Sequence, residues 1–173
     1  MSFLWYVIFA VLGLALILSL VYFLLLQKLR RLNIKLYKRK VETNLKNENV
    51  LIVYQPSRRG TINKIVDNIK ESLQQKQYGY VTSTLSNINE DYNNYKYTIF
   101  VMPVYFGEVH ARYINIVNTT KIKNLLIVYN GLNLESNNED KNVKNSSLSI
   151  YKKIKLHTTD IELVKEFINK EVK

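Results

Sequence analysis

From Phe3 to Leu26 the chain runs FLWYVIFAVLGLALILSLVYFLLL, 24 residues without a charge, interrupted by Gly13 and Ser19 alone. At about 1.5 Å per residue a helix of that length crosses a hydrocarbon core of about 30 Å. A helix apolar on every face must be wrapped by a much larger protein or by lipid, and the rest of this 173-residue chain is of ordinary domain size. A cleaved leader wants positive charge ahead of a short apolar core, whereas Met1-Ser2 carries no side-chain charge and the basic residues come after the run. The pattern predicts an uncleaved transmembrane anchor over residues 1–27, with residues 3–26 in the lipid bilayer.

Orientation follows from what comes next. Lys28, Arg30, Arg31, Lys35, Lys38, Arg39 and Lys40 crowd the exit of the apolar run, and such clusters stay on the cytoplasmic side. The expectation is a single-pass protein with its N-terminus outside and its C-terminal domain in the cytoplasm, joined by a basic juxtamembrane linker, 28–49. The same stretch explains most of the net charge of +11: residues 1–49 hold eight Lys or Arg against two Glu, net +6, and residues 50–173 hold 17 against 12, net +5. No basic motif interleaved with aromatics stands out in the second part, so nucleic acid is not an expected partner. The absence of cysteine excludes thiol catalysis, disulfides and Cys-ligated metals together. His110 and His157 lie far apart with no carboxylate at ligand spacing, so no metal site is expected.

From residue 50 onward short β-rich runs alternate with helical periodicity. Val50–Tyr54 is apolar throughout, as suits the middle of a parallel sheet covered on both faces. Ile62, Ile65, Val66, Ile69 and Leu73 make one helical stripe. Further strands are predicted at 78–85, 97–102, 124–129 and, more polar and so at an edge, 150–157. Thr159-Asp160 is the expected cap of a last helix that turns Ile161, Val164, Phe167 and Ile168 inward. The polar run 132–147 stands where a fourth crossover helix belongs and predicts that helix to be reduced. Strands alternating with helices define an α/β fold, a five-stranded parallel sheet of order 2-1-3-4-5 over residues 50–173. Ligands of such sheets sit outside the carboxyl ends of the strands at the switch point, which selects three loops: 55–62, 103–109 and 130–134.

The first loop, YQPSRRGT, packs Ser57, Arg58, Arg59, Gly60 and Thr61 into one turn before the helix that begins near Ile62. Hydroxyls, a permissive glycine, two guanidinium groups and a helix N-terminus together suit a phosphate, although an ordinary strand-to-helix turn with exposed arginines has the same composition. It is neither a nucleoside triphosphate loop nor a Gly-x-Gly-x-x-Gly turn. In the second loop Pro103 stiffens the strand exit, Val104 follows, Tyr105 and Phe106 offer rings on which a flat heterocycle can stack, and Gly107 admits close approach of backbone. The third, Asn130-Gly131-Leu132, carries little signal by itself.

The segments VLIVYQPSRRGTINKIVDNI and TIFVMPVYFGEVHARYINIV resemble the first and third strand–loop–helix units of flavodoxin-like proteins, and the resemblance covers residues 49–173. The chain looks like a membrane-anchored, basic, bacterial version of that three-layer fold. The resemblance implies FMN as cofactor, with its phosphate held by Ser57, Arg58, Arg59, Gly60, Thr61 and Ile62, its ring against Pro103, Val104, Tyr105, Phe106 and Gly107, and backbone contacts from Asn130, Gly131 and Leu132. Arg59 and Ile62 stand where the family has threonines, and Thr61 comes one place early. The implied function is electron transfer with an unidentified redox protein at the cytoplasmic membrane face. An FMN-dependent reductase of a lipophilic substrate, or a docking module of the same fold without flavin, are the alternatives.

Overall fold

The structure, a computed structural model, describes residues 3–35, 42–44, 49–57, 60–86, 91–105, 107–131, 143, 151–157 and 160–173. The chain divides into two compact units, Met1–Leu36 and Tyr37–Lys173.

The first unit is one helix, α1 (Phe3–Lys35), 33 residues long. Its segment Trp5–Gln27 is long and apolar enough to cross a membrane, and side chains from Trp5 to Leu25 are exposed around it. Ser19, in its middle, donates its hydroxyl to the Leu16 carbonyl at 2.8 Å. That bond satisfies the hydroxyl without water, as a lipid environment requires.

The second unit runs β1 (Thr43–Asn44), β2 (Asn49–Tyr54), α2 (Thr61–Gln75), β3 (Gly79–Thr84), a 3-10 turn at Tyr92–Asn94, β4 (Tyr97–Pro103), α3 (Ala111–Thr119), β5 (Leu125–Asn130), β6 (Tyr151–Leu156) and α4 (Leu163–Glu171). The sheet order is β1-β3-β2-β4-β5-β6. Its five long strands are parallel in the expected order, and the sequence-based count of five is corrected to six by β1. This two-residue strand pairs antiparallel with β3, Thr43 opposite Val81 and Asn44 opposite Tyr80. Without it β3 would be a fully buried strand with an open edge, a template for unwanted pairing. Two polar residues are too few to show any period, so nothing in the sequence marks β1.

Alternation along the strands builds three layers. Val50, Ile52 and Tyr54 join Ile62, Ile65, Ile69, Leu73, Val164 and Ile168 in one core, under α2 and α4. Leu51 and Val53 point the other way, with Phe100, Tyr113, Val117 and Tyr129. Each such buried side chain stabilises the fold by roughly 1.5–3 kcal/mol before entropy is counted. Tyr92 stacks on Phe100, centroids 6.3 Å apart, and covers the sheet where a longer crossover would carry a helix.

Two expectations change or fall outside the described residues. The last helix starts at Leu163 after Glu162, which makes no side-chain cap bond, and the Asp160 and Ile161 carbonyls accept from the Leu163 and Val164 N–H groups in the turns ahead of it. Thr159 itself lies outside the described residues. So does the 132–147 crossover except Val143, which is buried in the α3-side core.

Candidate functional site

Chain direction reverses at β2: the connection to β3 goes to one side of it and the next to β4 on its other side. The loops after β2, β4 and β5 are therefore brought to the crevice end of the sheet.

The loop after β2 is seated before it turns. Gln55 and Ser57 are buried, and the Gln55 N–H donates to the Val101 carbonyl at 3.2 Å. Gly60 adopts φ +74°, and its N–H closes onto the Ser57 carbonyl at 3.1 Å. The Ser57 hydroxyl oxygen accepts from the Ile62 N–H at 3.3 Å, quenching one of the orphan donors that every helix start leaves. That contact uses a lone pair of Ser57 and leaves its own proton free for an acceptor. A Cβ placed on Gly60 would meet nothing within 4 Å, so open space lies beside the helix start. The first turn of α2 contains no acidic residue, and the positive end of a 15-residue helix faces that space unopposed.

Within the expected phosphate set, Thr61 is half-buried at the first helical position. Ile62 keeps to the apolar stripe: its side chain is fully buried in the α2–sheet core, so only its backbone reaches the loop. Arg58 and Arg59 lie outside the described residues. Asn63 Oδ1, one step further, is buried with no hydrogen-bond partner; as an acceptor it suits a donor and not a phosphate oxygen.

The loop after β4 is a small rigid finger. Tyr105 and Glu108 exchange both backbone hydrogen bonds, at 2.9 and 3.0 Å, and Gly107 makes the turn between them at φ +77°. Val104 is buried and donates its N–H to the Asn130 carbonyl at 2.8 Å. Tyr105, two residues past the end of β4, is 37% exposed, whereas Ile99, Phe100, Val101 and Met102 of that strand are fully buried, so part of its surface is exposed at the crevice end. Phe106 lies outside the described residues. At the far side His110 caps α3, its Nδ1 accepting from the Arg112 N–H at 3.1 Å. Histidine is not a preferred cap, so this role could not be read from residue type.

Asn130 and Gly131, expected to give backbone contacts to a ring, lie at the end of β5 against β6. The Asn130 carboxamide donates to the Leu156 and His157 carbonyls at 3.0 and 3.4 Å, and the Gly131 N–H donates to Leu156 at 3.2 Å. Both tie β5 to β6, and Asn130 also fixes the β4 loop through Val104. Leu132 lies outside the described residues. Two buried polar residues at this end were not singled out from sequence: Gln55, and Thr84, whose hydroxyl is 3.0 Å from that of Ser86.

Among solved structures the chain is similar to the flavodoxin of Fusobacterium nucleatum bound to flavin mononucleotide, with a TM-score of 0.53 and 18% identity over 73% of this chain and 99% of that one. It is also similar to oxidised flavodoxin 1 of Bacillus cereus (0.51, 11%, 70% and 94%), and to an NAD(P)H:quinone oxidoreductase of Methanothermobacter marburgensis (0.51, 10%, 72% and 95%). No family model matches the sequence, and no curated protein matches it. The chain therefore has a flavodoxin-like α/β fold, with an apolar helix long enough to span a membrane ahead of it.

Proposed function

We propose that this chain is a membrane-anchored flavodoxin-like protein that binds FMN at the ends of β2, β4 and β5 and passes electrons at the cytoplasmic face of the membrane. The observation that carries the reading is a pair of features on adjacent strands: the open, acid-free start of α2 beside Gly60, and the exposed Tyr105 ring on its rigid finger after β4. The first suits a phosphate, the second a planar ring, and β2 and β4 are hydrogen-bonded neighbours.

In this reading Ser57 donates its hydroxyl to a phosphate oxygen, Gly60 and Thr61 offer backbone and hydroxyl groups, and Arg58 and Arg59 supply positive charge, Arg59 at a position where the family has a threonine. Ile62 contributes only backbone. Pro103, Val104, Tyr105, Phe106 and Gly107 form the ring platform, which Asn130 braces; Gly131 and Leu132 close the rim. Bound FMN supplies the one- and two-electron chemistry. A basic seat in a domain of net +5 fits an acidic redox partner by charge complementarity. The length of α1 and the Lys and Arg residues that follow its apolar run support the anchor and its orientation.

Titration of flavin fluorescence with the detergent-purified full chain tests the site. FMN should bind and riboflavin, which lacks the phosphate, should bind far more weakly. Equal binding of the two would refute the phosphate seat, and binding of neither would refute the flavin reading.

A further inference from the structure

The two ends of the sheet differ in charge. At the amino ends of the strands the described residues include six lysines: Lys76 after α2, Lys96 before β4, Lys121 and Lys123 in the turn into β5, Lys152 at the start of β6 and Lys170 in the last turn of α4. Among the described residues only Asp91 and Glu171 oppose them there. At the carboxyl ends Lys64, Arg112 and Lys165 meet Glu108, Asp160, Glu162 and Glu166. With Arg58 and Arg59 of the first loop added, five positive charges stand against four negative ones. The excess therefore collects at the pole opposite the crevice.

Hydrogen bonds fix that pole in shape. Lys76 donates to the Asn169 and Val172 carbonyls at 2.8 and 2.6 Å, tying the end of α4 to the end of α2. The Tyr78 and Tyr97 hydroxyls both donate to the Lys173 carbonyl, at 2.7 and 2.9 Å. Lys96 Nζ donates to the Tyr78 hydroxyl at 2.9 Å and lies 5.1 Å from that ring's centroid. Between Lys121 and Lys123 the side chain of Ile122 packs on the α3-side core. Both lysines stay exposed, without an ion pair among the described residues.

Charge without an apolar centre decides the kind of partner. A protein interface needs a desolvated core of large apolar or aromatic side chains. The large exposed ones of this unit, Tyr105 and Leu163, both stand at the other end, Leu163 as the first residue of α4. A lipid headgroup layer needs only a spread of cations, because anionic lipid attracts every Lys near its surface. Lys76 leads into β3 and Lys152 lies in β6, so the charges run across five strands, about 20 Å at the usual spacing.

Resting on the anchor part of the proposed function, we infer that the lysine pole at the amino ends of the strands docks on the anionic lipid headgroups of the membrane. The crevice, roughly a strand length or 20 Å away, then opens to the aqueous phase, and its reactant is a water-borne partner and not a molecule dissolved in the bilayer.

The chain has no cysteine, so one label can be placed at will. Asn169→Cys marks the pole and Ala111→Cys the crevice end, both at exposed, uncharged positions. Each full-length variant is labelled with a fluorophore and reconstituted into vesicles containing headgroup-spin-labelled lipid, made of phosphatidylcholine with phosphatidylglycerol or of phosphatidylcholine alone. With phosphatidylglycerol the expected result is loss of fluorescence at position 169 and little at 111. The difference should vanish in phosphatidylcholine alone, and also on combining Lys121→Glu with Lys123→Glu in protein that keeps its circular dichroism. Equal loss at both positions, greater loss at 111, or a difference that survives either change would overturn the inference. So would a protein that co-purifies in detergent with the natural chain and is lost on the same charge reversal, since the pole would then be a protein interface. The readout needs no flavin and stands apart from the FMN titration. Protein that fails to float with the vesicles at all would overturn the anchor reading, and this inference with it.

Discussion

Gly60 concentrates the residue-scale case. Its φ of +74° is a conformation that costs a side-chain-bearing residue roughly 1–2 kcal/mol, and among the described residues beyond its chain neighbours no atom lies within 4 Å of a Cβ placed there. Gly60→Val should therefore leave the fold intact by circular dichroism while FMN affinity falls at least about tenfold, since about 1.4 kcal/mol is a factor of ten and the new methyl groups enter the space assigned to the phosphate. Retained affinity in that variant would remove the phosphate from this turn. Ser57→Ala strands the Ile62 N–H, a loss of about 1–3 kcal/mol, readable as a lower urea midpoint even without flavin. The turn at Gly60 and the place of Ser57 at the helix start were legible in YQPSRRGT, because a glycine and a hydroxyl directly before a helical stripe mark a strand-to-helix turn. The inward turn of Ile62 was also implicit, as the first residue of the stripe Ile62-Ile65-Ile69. The bracing by Asn130 and the cap by His110 were not legible, because both depend on carbonyls and amides that only the folded backbone brings within reach.

At the scale of elements, β2, β4 and β5 were legible as apolar runs bounded by polar residues and β6 as a more polar edge strand, and the order of the five parallel strands followed from alternation with helices. What escaped was the pairing of β1, held by an interaction between segments 28 residues apart. Burial pulls the Lys70 ammonium down from the usual 10.5, and its hydrogen bond and charge attraction to Glu42, helped by Asp67 and Tyr80, more than reverse this, so its pKa is raised. A raised pKa means the folded state holds the proton more tightly. The contribution is whole below the ordinary lysine value and is lost as pH climbs through the higher folded one. The gap in urea midpoint between the natural protein and Glu42→Gln should hold constant at neutral pH and close above about pH 10.5, the unfolded lysine range. A gap unchanged across that alkaline range would mean the pairing of β1 owes nothing to Lys70.

Taken whole, the molecule couples a basic flavodoxin-like domain to an apolar helix through a short tether. In the proposed function, confinement to a membrane surface would raise the encounter rate with partners held there. The apolar helix was the most legible feature of all, since a run of that length without a charge has few other uses. The occupancy of the crevice was the least, because Arg59 and Ile62 stand where the resemblance leads one to look for threonines. The flavin content of the full-length protein, extracted in detergent from the membranes of the cells that make it, tests this most directly. The expected result is a yellow protein that releases FMN in equal molar amount on denaturation; a colourless protein that stays so after incubation with FMN and gel filtration would contradict it.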